Sequence, residues 1–177
     1  MTARKLVAGN CLVIAACFLL SGWNMAGAGS AARNTARFSV AFFLVGFASP
    51  GLRRWAVRLP ETAALFYAFF AAHFVHFAAV LLLHTRFGDR TAITLPQVVI
   101  VVAGVTITAM VGMTAGRGSR VSRTLHLFSV YVIFLILAAD YSQHPTKSMR
   151  WMAVPVFASL VVRLLAQRKP RVVATAT

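Results

Sequence analysis

Acidic side chains are nearly absent from this chain. Glu61, Asp89 and Asp140 are the only three among 177 residues, against 18 Lys and Arg. No H-E-x-x-H motif occurs, and no acid neighbours His73 or His76 in the sequence. That removes the usual pattern of a catalytic zinc site, which takes three protein ligands. Cysteine is also scarce. Cys11 and Cys17 lie six positions apart, about 240° around a helix, and share no face. They read as two buried structural residues rather than a disulfide or a metal pair. Internal repeats are missing, and no low-complexity linker exists beyond the Ala/Gly-rich stretch 26–32. Without an inverted repeat or paired broken helices, a small-solute transporter is the last-ranked reading.

What remains is apolar. Hydrophobic residues make up 59% of the chain and the mean hydropathy is +0.77, above the roughly 45–50% apolar content of soluble domains. A spanning helix needs about 20 apolar residues. Six windows qualify, at about 6–26, 36–51, 61–84, 92–115, 121–141 and 149–167. The expected fold is all-α: a six-transmembrane-helix bundle forming a single integral membrane domain over 1–177. Six helices and short loops leave no room for a soluble catalytic domain. Helix one has a signal-like basic start and small-residue exit, but its apolar segment is long for such a peptide and it reads as retained. Pro50 and Gly51 are expected to end helix two, Pro60 to open helix three, and Pro155 to kink helix six. Gly112 and Gly116 form a small-xxx-small pair that permits close helix contact.

The net charge of +15 is distributed rather than patched, so no nucleic-acid partner is implied. Eleven basic residues fall on one side: Arg4, Lys5, Arg53, Arg54, Arg58, Arg117, Arg120, Arg123, Arg168, Lys169 and Arg171. Six fall on the other: Arg33, Arg37, Arg86, Arg90, Lys147 and Arg150. The positive-inside rule then puts both termini in the cytoplasm.

Ionisable side chains inside such helices usually mark a site. His73, His76 and His84 fall within roughly 80° on helix three, at 100° per residue. On helix five, Ser122, His126, Ser129 and Asp140 form a second polar stripe. Such groups face the bundle interior because lipid cannot satisfy them. His84 and His144, near the outer ends, read as hydrogen-bonded or solvated. His126 and one of His73 and His76 are the candidate ligands. A haem needs axial imidazoles and an apolar slot, and Phe66, Phe69, Phe70, Phe74 and Phe77 are candidates for that slot. His126 lies near the start of its helix and His73 near the middle of its own, an axial offset on the order of 10 Å.

Arg33-Asn34-Thr35-Ala36-Arg37, an apolar run and Pro50-Gly51-Leu52-Arg53-Arg54 resemble the second helix of the ferric-reductase-like transmembrane family, most closely its MsrQ branch of haem-binding membrane subunits. Phe66 to His84 resembles that family's histidine-bearing third helix. Arg123-Thr124-Leu125-His126, followed by Tyr131, resembles the start of its fifth. The likeness covers about 33–141. It implies one b-type haem, with His73 or His76 as the helix-three ligand and His126 as the helix-five ligand, His76 and His126 being the axial pair on the iron. The family carries a second helix-five histidine further along, where this chain reads Ala138-Ala139-Asp140-Tyr141.

The expected function is transmembrane electron transfer in a bacterial inner membrane, as a multi-pass redox subunit. Electrons would come from a protein partner or a membrane quinol, with basic cytoplasmic loops docking an anionic donor. The alternative is a haem-free scaffold or accessory subunit of a larger complex.

Overall fold

The computed structural model describes residues 3–55, 57–87, 95–143 and 146–168. Among them every regular element is a helix: α1 Ala3–Ser21, α2 Met25–Arg54, α3 Thr62–Arg86, α4 Leu95–Thr114, α5 Arg120–Gln143, the single turn α6 Lys147–Arg150, and α7 Ala153–Arg168. Three of them, α2, α3 and α5, are long and apolar enough to cross a membrane. Shorter apolar stretches occupy Ala8–Ser21, Val101–Thr114 and Ala153–Ala166. His144, Gly88, Asp89, Arg90, Lys169 and Arg171 lie outside the described residues.

The largest departure from expectation is α2. It begins eleven residues before the expected 36 and runs through Pro50 to Arg54. Asn24 starts it, accepting a hydrogen bond from Gly27 N at 3.0 Å while its amide donates to the Ser21 carbonyl at 3.0 Å. This is N-cap chemistry. Gly22, at φ +82°, makes the tight turn from α1. Proline lacks the N–H that would bond the carbonyl four residues back. Here that carbonyl is Gly46 O, and the Ser49 hydroxyl donates to it at 2.8 Å. The helix therefore survives Pro50. Gly51 serves a different purpose from ending the helix: a Cβ there would collide with the Val162 carbonyl of α7. Pro155 is also corrected, because it falls in the first turn of α7, where proline is tolerated, and does not interrupt a helix interior.

α2 is the hub, packing against α1, α3 and α7; α4 packs against α3 and α5, and α5 against α7. The core is a ladder of phenylalanines. Phe43 meets Phe69 with ring centroids 5.2 Å apart, and Phe47 stacks on Phe134 at 4.8 Å. Val111, Val130, Ile133 and Val156 complete it. A smaller cluster of Cys17, Phe18, Ala28 and Ala31 holds α1 to α2. Gly112 makes a close approach to α3, since a Cβ there would lie 2.5 Å from the Phe70 ring, but Gly116 lies beyond the end of α4 at φ +74°, so the two do not form one helical small-xxx-small face. Cys17 is buried but Cys11 is exposed, so only one of the two cysteines is a core residue.

Candidate functional site

The α3 histidines point at α2. His73 Nδ1 lies 2.9 Å from the Ser39 hydroxyl. His76 Nδ1 lies 2.9 Å from the Ala32 carbonyl and 3.5 Å from the Thr35 hydroxyl. A carbonyl only accepts, so His76 carries its proton on Nδ1 in this arrangement. Thr35 itself donates to the Ala31 carbonyl at 2.8 Å. Both rings are half-buried, 5.5 Å apart, and His73 is flanked by Phe69 at 5.3 Å and Phe77 at 4.6 Å.

His126 belongs elsewhere. Its Nδ1 lies 3.2 Å from the Thr114 hydroxyl at the end of α4, and its ring stands edge-on to Phe66 at 4.9 Å. Phe66 precedes His73 by seven residues, about 10 Å along a helix. The structure brings His73 and His76 together but leaves His126 two turns away. The offset read from the sequence is thus present in the fold, and helix tilt does not remove it. The pairing of His76 or His73 with His126 on a single iron does not fit this geometry. Among the described residues, no group of three or more His, Cys, Asp or Glu side chains gathers around a metal-sized space.

The expected apolar slot divides in two. Phe66 and Phe69 are fully packed core residues, whereas Phe74 is exposed. On α5, Ser122 and Ser129 are buried and His126 is half-buried, but Asp140 faces outward. His84, in the last turn of α3, is half-buried and has a polar or ring contact. Tyr141 of α5 borders the same pocket as His76. Both line a pocket of about 200 Å³ with Ala32, Arg33, Ala36, Arg37 and Met149.

Sequence reasoning missed Arg163. Its guanidinium lies 4.6 Å from the Phe47 ring centroid and 5.3 Å from that of Tyr131. It donates to the Phe47 carbonyl at 2.8 Å, one turn before the close α2–α7 contact at Gly51. The α2 partners Thr35 and Ser39 were missed too. Their four-residue spacing within a mostly apolar helix was the available signal, since small hydroxyl residues on one face favour interhelical hydrogen bonds.

Fold and site together define an all-helical protein with three membrane-length apolar helices and a histidine–hydroxyl seam between α2 and α3. No known protein family, curated protein or solved structure matches the chain.

Proposed function

We propose that this protein is a six-span integral membrane protein of the bacterial inner membrane that holds one b-type haem on His73 for transmembrane electron transfer. The observation that carries this reading is the anchoring of His73. Its Nδ1 is held by Ser39, which leaves Nε2 as the nitrogen for a ligand. Metal-binding imidazoles are commonly oriented in this way by a second hydrogen bond. Phe69 and Phe77 supply flat apolar neighbours. His76 is the neighbour of this ligand and is tied to α2. His126 stands apart as a structural residue between α4 and α3. The haem, when bound, would supply one-electron chemistry. A redox protein or membrane quinol would supply the electrons. The charge asymmetry between loops supports termini in the cytoplasm.

The test is an optical spectrum of the purified protein from haem-replete cells, before and after dithionite. A Soret band that shifts on reduction is expected, lost in His73→Ala and retained in His126→Ala. A band that survives His73→Ala moves the ligand to another residue. A colourless wild type overturns the haem assignment.

A second reading is a haem-free membrane scaffold. The distance between His126 and the α3 pair favours it, as does the close packing of Phe66 and Phe69 against Phe43. Both imidazoles would then serve only as interhelical hydrogen-bonding groups.

A further inference from the structure

The pocket beside His76 carries a chemistry that the haem reading does not use. We infer that Arg33 and Arg37, with Tyr141 at the pocket wall, bind the phosphodiester of an anionic phospholipid headgroup. The inference rests on the membrane-spanning reading but not on haem.

Four observations carry it. Arg33 and Arg37 are one helical turn apart, so their side chains share a face. Both line the same open pocket of about 200 Å³, which His76 of α3, Tyr141 of α5 and Met149 of α6 also line. Arg37 is held by Asn34, to whose Oδ1 its Nη1 donates at 3.5 Å, while Arg33 Nη1 folds back along the helix over Gly29. Guanidinium forks match phosphate oxygens in pairs. The pocket's depth selects the source of that phosphate. Twenty residues separate Arg33 from Arg53, about 30 Å of helix, which is the thickness of the hydrocarbon core. With Arg53 and Arg54 at one headgroup layer, Arg33 and Arg37 fall at the edge of the other.

The charges around the pocket leave room for an anion. Arg37 and Asp140 both act electrostatically on Tyr141, and Asp140 is exposed, one residue away from the wall. One carboxylate therefore opposes two guanidinium groups. His76 already gives its Nδ1 proton to Ala32 O, so the arginines and the Tyr141 hydroxyl are the donors available to a phosphate.

The test uses the full-length protein in a zwitterionic detergent. Lipid retention is read by native mass spectrometry and thermal stability by unfolding. Phosphatidylglycerol is expected to remain bound and to raise the melting temperature, while phosphatidylcholine does neither. Arg33→Gln/Arg37→Gln is expected to weaken phosphatidylglycerol binding by about tenfold or more. Arg120→Gln/Arg123→Gln, at the opposite end of the bundle, is expected to leave it unchanged, and Tyr141→Phe to weaken it while preserving the fold. Equal stabilisation by inorganic phosphate would reassign the site to a soluble phosphate and overturn the lipid. Equal binding by both arginine double variants would overturn the site altogether. Extraction of the wild type from membranes by carbonate would instead overturn the membrane reading on which the inference stands.

Discussion

Ser39, Thr35 and Thr114 decide what the histidines do. Each hydroxyl belongs to a neighbouring helix and meets an imidazole Nδ1. In membrane proteins such interhelical bonds are worth about 0.6 kcal/mol on average, reaching about 1.7. Ser39→Ala is therefore expected to cost about 0.6–1.7 kcal/mol in reversible unfolding, and to loosen His73. Ser39→Thr, which keeps the hydroxyl, is expected to lose less. An unchanged stability in Ser39→Ala would mean that the His73 contact contributes nothing. Arg163 is the costlier residue. Its alkyl stem and guanidinium fill the space over Phe47 and Tyr131. Truncation removes packing, a cation–π contact and a charge-assisted hydrogen bond together. Arg163→Ala is expected to destabilise by about 2–4 kcal/mol, and Arg163→Met, which keeps the stem, by less. Equal losses in the two variants would show that the charge alone matters. The histidines were legible in the sequence as titratable groups in apolar runs. Their partners were not, because serine and threonine are common and only packing reveals which ones face an imidazole.

At the scale of the element, α2 shows how a hydropathy window misjudges a helix. Arg33, Asn34 and Arg37 lower the local hydropathy, so the span seems to start near 36. The backbone is helical from Met25 all the same. Asn34 donates towards Cys17 Sγ of α1 at 3.4 Å, and the small residues Gly27, Ala28 and Ala31 are buried against α1. Packing of a small-residue face, not hydropathy, sustains this half of the helix. In sequence the Pro50-Gly51 pair signals a stop, because glycine commonly caps a helix and proline breaks one. Ser49 supplies the missing donor and α7 occupies the space over Gly51, so the pair becomes a docking point. Gly51→Ala is expected to force α2 and α7 apart and cost about 1–3 kcal/mol, the range for overpacking. Pro50→Ala restores a backbone donor to Gly46 O and is expected to leave stability unchanged or raised. Circular dichroism and thermal unfolding of the two variants separate these outcomes. A destabilised Pro50→Ala would show that the proline shapes the α7 contact.

At the scale of the whole molecule, the exterior carries the membrane argument. Leu19 and Leu20 are 86% and 87% exposed, and Phe128 and Leu135 are each 63% exposed. A water-soluble protein seldom leaves so many large apolar side chains uncovered on its helices. Leu135→Arg, near the middle of α5, is expected to penalise insertion by about 2.5–3.5 kcal/mol. The readout is the membrane-integrated fraction in a translocation assay. Full integration of that variant would place Leu135 away from lipid. Cys11 is exposed and Cys17 buried; on an apolar span an exposed thiol faces lipid and stays protonated, so a membrane-impermeant maleimide is expected to label neither cysteine in the membrane and both after denaturation.

The sequence by itself determined the class of structure. Long apolar runs with few charges have one economical conformation in a lipid setting, because only a helix satisfies its own backbone. It also marked the residues that were unusual for that setting, His73, His76 and His126, and their offset along the helix axis. Helix periodicity is a one-dimensional rule, so faces and depths follow from it directly. Tertiary structure decided which faces meet. It set His73 against Ser39 and His76 against Ala32, kept His126 with Phe66 and Thr114, and drew Arg163 over Phe47. Helices also approach closely at Gly51, beside the Arg163 contact, and at Gly112, where α4 meets α3. Approach distance is set by the side chains of two helices at once, and no single stretch of sequence contains it.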